Sequence, residues 1–120
     1  MAASRRFGIQ LHTDWPLREY PRLARTIEDY GFGELTVHDV IWNRPLWPVL
    51  TLIAEHTSRL LIGPDVTHPF ARHPVVTAAN VAAIDELSGG RAILGVGQGS
   101  FFEAARIGHG RPIAAVRDMI

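Results

Sequence analysis

The residues that could do chemistry sit in a few short stretches. His38-Asp39 sets an imidazole beside a carboxylate. An imidazole titrates near neutral pH, so such a pair can orient a proton donor beside a reacting carbon. The pair equally suits a histidine tied to a carboxylate for packing, and residue types alone leave both open. Gly95-Val96-Gly97-Gln98-Gly99-Ser100 has little side-chain bulk, so another backbone or a flat ligand can come close. A dinucleotide-binding loop is the obvious comparison, but Ser100 stands where its third glycine belongs. No helix opens directly behind the loop to face a pyrophosphate either. Gly63-Pro64-Asp65-Val66-Thr67-His68-Pro69 spends two prolines and a glycine at a strand end, which predicts a backbone irregularity there. Gln10 lies inside an apolar run and can hydrogen-bond but not act as acid or base. His12, His56, His68, His73 and His109 share no metal-ligand spacing, and no metal is expected. Trp42 and Trp47 could wall a pocket, though aromatic residues ahead of a helix more often simply pack.

These stretches need elements to position them. Short apolar runs at 7–11, 34–39, 59–62 and 92–96 read as strands, the last without polar alternation, as in a parallel strand buried on both faces. Between them, 17–30, 46–56 and 75–87 read as helices, and 113–120 as the start of another. Thr13 or Asp14 could cap the first helix, which Pro16 begins. His73-Pro74 opens the third, apolar residues at 76, 79, 83 and 87 suggest its buried stripe, and Ser88-Gly89-Gly90 stops it. The whole is a single α/β domain over 1–120 with four βα units, hence parallel strands and right-handed crossovers. Four units make only half of the roughly 250 residues of a (β/α)₈ barrel, so length alone favours a small open sheet.

The segment RHPVVTAANVAAIDELSGGRAILGVGQG, with Asp85-Glu86-Leu87-Ser88-Gly89-Gly90-Arg91-Ala92 followed by Leu94, Gly95 and Gly97 as its most specific part, resembles the bacterial luciferase-like flavin and deazaflavin oxidoreductases. The nearest branch is the methylene-tetrahydromethanopterin reductase type, and the resemblance runs from Phe7 to the last residue. It implies a TIM-barrel type fold of which this chain carries the first four βα units, a half barrel. It also implies coenzyme F420, a deazaflavin, or FMN as cofactor, with F420 favoured. The implied reaction is hydride transfer to, or oxygenation of, a small organic substrate. Asp65, Val66 and Thr67 would back the ring through a cis peptide at Asp65-Val66, and Gly97, Gln98 and Gly99 would lie against it. Gln10 stands where the reductase branch has a glutamate. Asp39 matches an aspartate of that branch's strand-end triplet, but Val40 occupies the histidine's place and His38 lies two residues earlier. His38 and Asp39 are the expected catalytic pair.

Composition narrows the partners. All 12 basic residues are arginine, balanced by 12 acidic ones, and no basic cluster offers a footprint for nucleic acid or an anionic membrane. Cysteine is absent, so there is no disulfide or thiolate site. No run reaches the roughly 18 apolar residues of a membrane span, and a cytoplasmic location is expected. Two open sheet edges and a half-open apolar interior predict self-association, for example as a homodimer. The alternative function is a non-catalytic, truncated half barrel that pairs with a partner or is an inactive remnant.

Overall fold

A computed structural model of the chain describes residues 6–103, 105–108 and 110–120. Three of the apolar runs form a parallel sheet in the order β1 (Gly8–Leu11), β2 (Glu34–Val37), β3 (Leu61–Pro64). Its register aligns Leu11 with Val37 and Val37 with Pro64. Between the strands lie α1 (Tyr20–Asp29) and α2 (Leu46–Glu55), followed by α3 (Pro74–Ser88) and α4 (Pro112–Met119). The first helix begins later than expected, because a 3-10 turn at Leu17–Glu19 precedes it and neither Thr13 nor Asp14 caps that turn. Instead Thr13 is fully buried.

Among the described residues the sheet has three strands rather than four. Residues 92–96 run parallel beside β3 but meet it through isolated bridges, Ile62 with Ala92 and Thr67 with Val96. Those bridges are five residues apart on one side and four on the other, so the β3 side carries an extra residue. That is the geometry of a bulge, and it interrupts the ladder where a regular fourth strand would need it. The expected irregularity after β3 is therefore present.

One face of the sheet is covered. Leu35, Val37 and Ile62 pack against Tyr20, Ala24, Ile27, Leu50, Ile53 and Ile84 from the helices, all buried. Alternation along the strands sends the other residues to the opposite face. There Gly8 and Gln10 are exposed and Glu34 and Thr36 partly so. This face is polar, which corrects the expectation of an apolar interior. The stripe expected on α3 is also corrected: Thr77, Ile84 and Ser88 are its buried residues, while Val76 and Leu87 face out. With alanine and valine on several sides of this helix, apolar spacing cannot select its inner face.

The end of the sheet from which the strands start is tied by two charged side chains. Glu28 of α1 accepts from the backbone N–H of Ser58, Arg59 and Leu60 at 2.9, 2.6 and 3.1 Å. Burial pushes its pKa up, but those N–H groups and the Arg59 charge outweigh it and the net shift is downward. Arg91 donates to the carbonyls of Ser88, Leu60, Ala54 and Thr57 and to the Thr57 hydroxyl, at 2.8 to 3.1 Å. Asp85 accepts from the Ala92 N–H at 3.1 Å, and Gly89 and Gly90 turn the chain with positive φ. The first part of the most specific stretch, Asp85 to Ala92, is thus a structural joint. Among the described residues no helix is long and apolar enough to cross a membrane.

Candidate active site at the strand ends

The two residues after β2 diverge. The His38 N–H donates to the Leu11 carbonyl at 3.0 Å, carrying the β1–β2 ladder one step past the strands. Its ring stacks on His12, with centroids 4.2 Å apart and planes 7° from parallel. Burial holds the His38 pKa below its ordinary value, repulsion from His12 adds to this, and Asp65 opposes it. An imidazole kept neutral near pH 7 can accept a proton.

Asp39 turns inward, its side chain only 2% exposed. Both arms of Arg72 grip it, Nη1 to Oδ2 at 2.5 Å and Nη2 to Oδ1 at 2.6 Å, and the Thr67 hydroxyl donates to Oδ2 at 2.8 Å. A bidentate guanidinium contact of this kind is strong and directional. With both oxygens engaged, this carboxylate fastens the loop after β3 to the end of β2. His68 completes the cluster: its Nε2 lies 3.8 Å from Asp39 Oδ2 and has no hydrogen-bond partner among the described residues. Its ring meets Phe102 edge-on, centroids 4.5 Å apart. Burial lowers the His68 pKa, Asp39 works against that and Arg72 with it.

The peptide bond Asp65–Val66 is cis, at the position the resemblance implied. The Gln10 side-chain amide donates to the Asp65 carbonyl, so β1 supports this loop from across the sheet. Ladder bonds run on beyond it, Thr67 N–H to the Gly95 carbonyl and Gly97 N–H to the Thr67 carbonyl, each 2.9 Å. The glycines are needed for this close approach. A Cβ on Gly95 would come within 2.6 Å of the Pro64 carbonyl oxygen, and one on Gly97 within 2.7 Å of the Val66 side chain. At Gly99, with φ +71, it would strike the Phe102 ring at 2.5 Å. Their missing side chains therefore make room for neighbouring protein, one of the two close approaches that their small size allowed.

A groove of about 350 Å³ opens between these parts, lined by His38, Asp39, Val40, Asp65, Val66, Gln98, Gly99 and Ser100. It adjoins a second hollow of about 420 Å³ that shares Gln98, Gly99 and Ser100 and extends to Phe102 and Pro112. Of the residues singled out from sequence, His38, Asp39, Asp65, Val66, Gln98 and Gly99 line the groove. Gln10 reaches it through Asp65, Thr67 is buried behind it, and Gly97 packs on Val66. The structure adds three residues that sequence reasoning did not select, His12, His68 and Arg72. A buried aspartate requires a cation, and that requirement was the available signal for Arg72.

The other candidates take local roles. His73 Nδ1 caps α3 by accepting from the Val75 N–H at 3.2 Å. His56 bonds the Leu52 carbonyl at 2.8 Å, and His109 lies outside the described residues. Trp47 is in the core, whereas Trp42 is exposed and tilted against Phe101.

Comparison with known proteins matches residues 1–120 to the family described as luciferase-like monooxygenase. The 5,10-methylenetetrahydromethanopterin reductase of Methanopyrus kandleri is 43% identical over 93 residues, 78% of this chain and 27% of that protein. The solved coenzyme F420-dependent tetrahydromethanopterin reductase from the same organism superposes with a TM-score of 0.84 at 38% identity, covering 92% of this chain and 32% of the other. The oxygenating constituent of 3,6-diketocamphane monooxygenase from Pseudomonas putida, solved with FMN, gives a TM-score of 0.78 at 17% identity, covering 95% and 37%, and so shares the fold. The chain spans about a third of the length of these relatives.

Proposed function

The chain belongs to the luciferase-like monooxygenase family, and on that premise we propose that its groove seats the flat ring of a redox coenzyme, F420 in first place and FMN in second, beside a small organic substrate. In this reading the chain supplies the first four βα units of a (β/α)₈ barrel, and its groove is part of the barrel mouth. When bound, reduced F420 supplies a hydride. The observation that carries the reading is the groove itself, lined by Asp65 and Val66, by Gln98, Gly99 and Ser100, and by His38. Its volume suits a flat ring with a few polar neighbours rather than a whole coenzyme.

The chain's own residues divide the work. The Val66 and Gly99 walls orient the ring, His38 holds or moves a proton at an imidazole nitrogen, and Gln98 offers an amide for specificity. Asp39, Arg72, Thr67 and His68 keep the walls in place. Asp39 is thus a positioning residue rather than a second acid–base group. Titrating the purified chain with oxidised F420, and separately with FMN, tests this by the change in coenzyme fluorescence. Saturable binding, tighter for F420, is expected; no binding of either sinks the proposal.

A second reading draws on the uncovered polar face of the sheet. Here the chain pairs with a second copy or another chain through the β1 edge, without chemistry of its own. Light scattering separates them: a dimer that binds neither coenzyme supports the scaffold, and coenzyme binding opposes it.

A further inference from the structure

His12 follows β1 and His38 follows β2 at matching register, so their side chains emerge side by side on the open face. Gln10, two residues back on β1, braces Asp65 at the end of β3. His12, His38 and Asp65 therefore form a row across three neighbouring strand ends, above Gln10, Thr36 and Gly63. The row borders the groove through His38 and Asp65. Near-parallel rings 4.2 Å apart at 7° leave His38 little freedom to rotate on the His12 side.

We propose that His12 is a positioning residue for His38, its stacked ring fixing the plane in which His38 presents its nitrogens to the groove. The importance of that plane for ligand binding rests on the function proposed above. The stacking has an electrostatic consequence too. Two imidazolium rings in contact repel, so a charge on one opposes a charge on the other, while the Asp65 carboxylate favours a charge on His38. His12 and Asp65 are the titratable groups that face His38.

The test follows the His38 ring directly. Its Cε1–Hε1 resonance, assigned by its disappearance in His38→Gln, is titrated by NMR in the wild-type chain, His12→Ala and His12→Phe. The alanine variant is expected to displace the resonance and raise its titration midpoint, since repulsion and cover are both lost. Phenylalanine keeps a flat ring without charge, so it is expected to restore the resonance position while the midpoint stays raised. With F420 as the probe, His12→Ala should weaken binding by roughly tenfold, as misorientation by a fraction of an ångström does, and His12→Phe should recover most of it. An unchanged His38 resonance and midpoint in His12→Ala overturns the proposal. If His12→Ala displaces the resonance but His38→Gln binds F420 as the wild type does, the positioning stands and the role given to His38 in the groove falls.

Discussion

The two ends of the sheet handle polar groups in opposite ways. Where the strands start, Glu28 and Arg91 spend most of their hydrogen bonds on main-chain groups of neighbouring segments. Where the strands end, Asp39, Arg72 and Thr67 bond one another through their side chains, His38 lies at the groove, and His68 Nε2 is buried without a hydrogen-bond partner among the described residues. The same parallel sheet therefore has one end that joins elements and one that presents groups. Parallel α/β folds show this division widely, with ligands at the carboxyl ends of strands.

Breaking the joining end should cost the most. Arg91→Ala removes five hydrogen bonds and strands carbonyls at the end of α2 and before β3. A loss of about 3–5 kcal/mol is expected from urea unfolding, since the bonds come from a charged donor. A loss below about 1 kcal/mol would erase the contrast.

Glu28→Gln keeps the shape and removes the charge, with an expected loss of about 1–3 kcal/mol near neutral pH. Its sign with pH is fixed by the lowered pKa of Glu28. The stabilisation is complete above the ordinary glutamate value of about 4.3 and disappears as pH falls through the lower folded value. Wild type and variant should therefore converge in stability in acid. Parallel curves down to the lowest pH would show that the carboxylate charge plays no part.

The presenting end should respond differently. Asp39→Asn leaves Arg72 without its counter-charge beside the groove. A stability loss of about 1–2 kcal/mol is expected, smaller than at Arg91, with F420 binding weakened about tenfold. If stability falls while binding per folded molecule holds, Asp39 is packing only.

The strands were legible because each is a short apolar run between turn residues, as in Leu35 to Val37. The fourth came out only in part: Ala92 to Val96 runs parallel beside β3 and exchanges backbone hydrogen bonds with it, but the bulge in β3's continuation leaves isolated bridges in place of a regular ladder. The groove was legible in part. His38 declares itself by type and by its place at a strand end, and Asp65 came from the resemblance. Arg72 does not, being one of 12 arginines and 33 residues from the carboxylate it grips. His12 was missed because ring stacking across adjacent strands leaves no spacing in a single chain. The glycines left backbone and ligand both open, and only coordinates show that Gly97 faces Val66.

Arg91 also bears on the order of synthesis. Apart from the neighbouring Ser88, every group it grips lies earlier in the chain, between Ala54 and Leu60. A nascent chain can therefore latch α2, β3 and α3 together soon after residue 91 clears the ribosome, before any later segment has emerged. Parallel strands pair slowly because their partners are distant in sequence, and the unpaired edge is exposed to aggregation meanwhile. A latch that closes backward shortens that interval, so the arginine acts on the yield of folded molecules as well as on their stability.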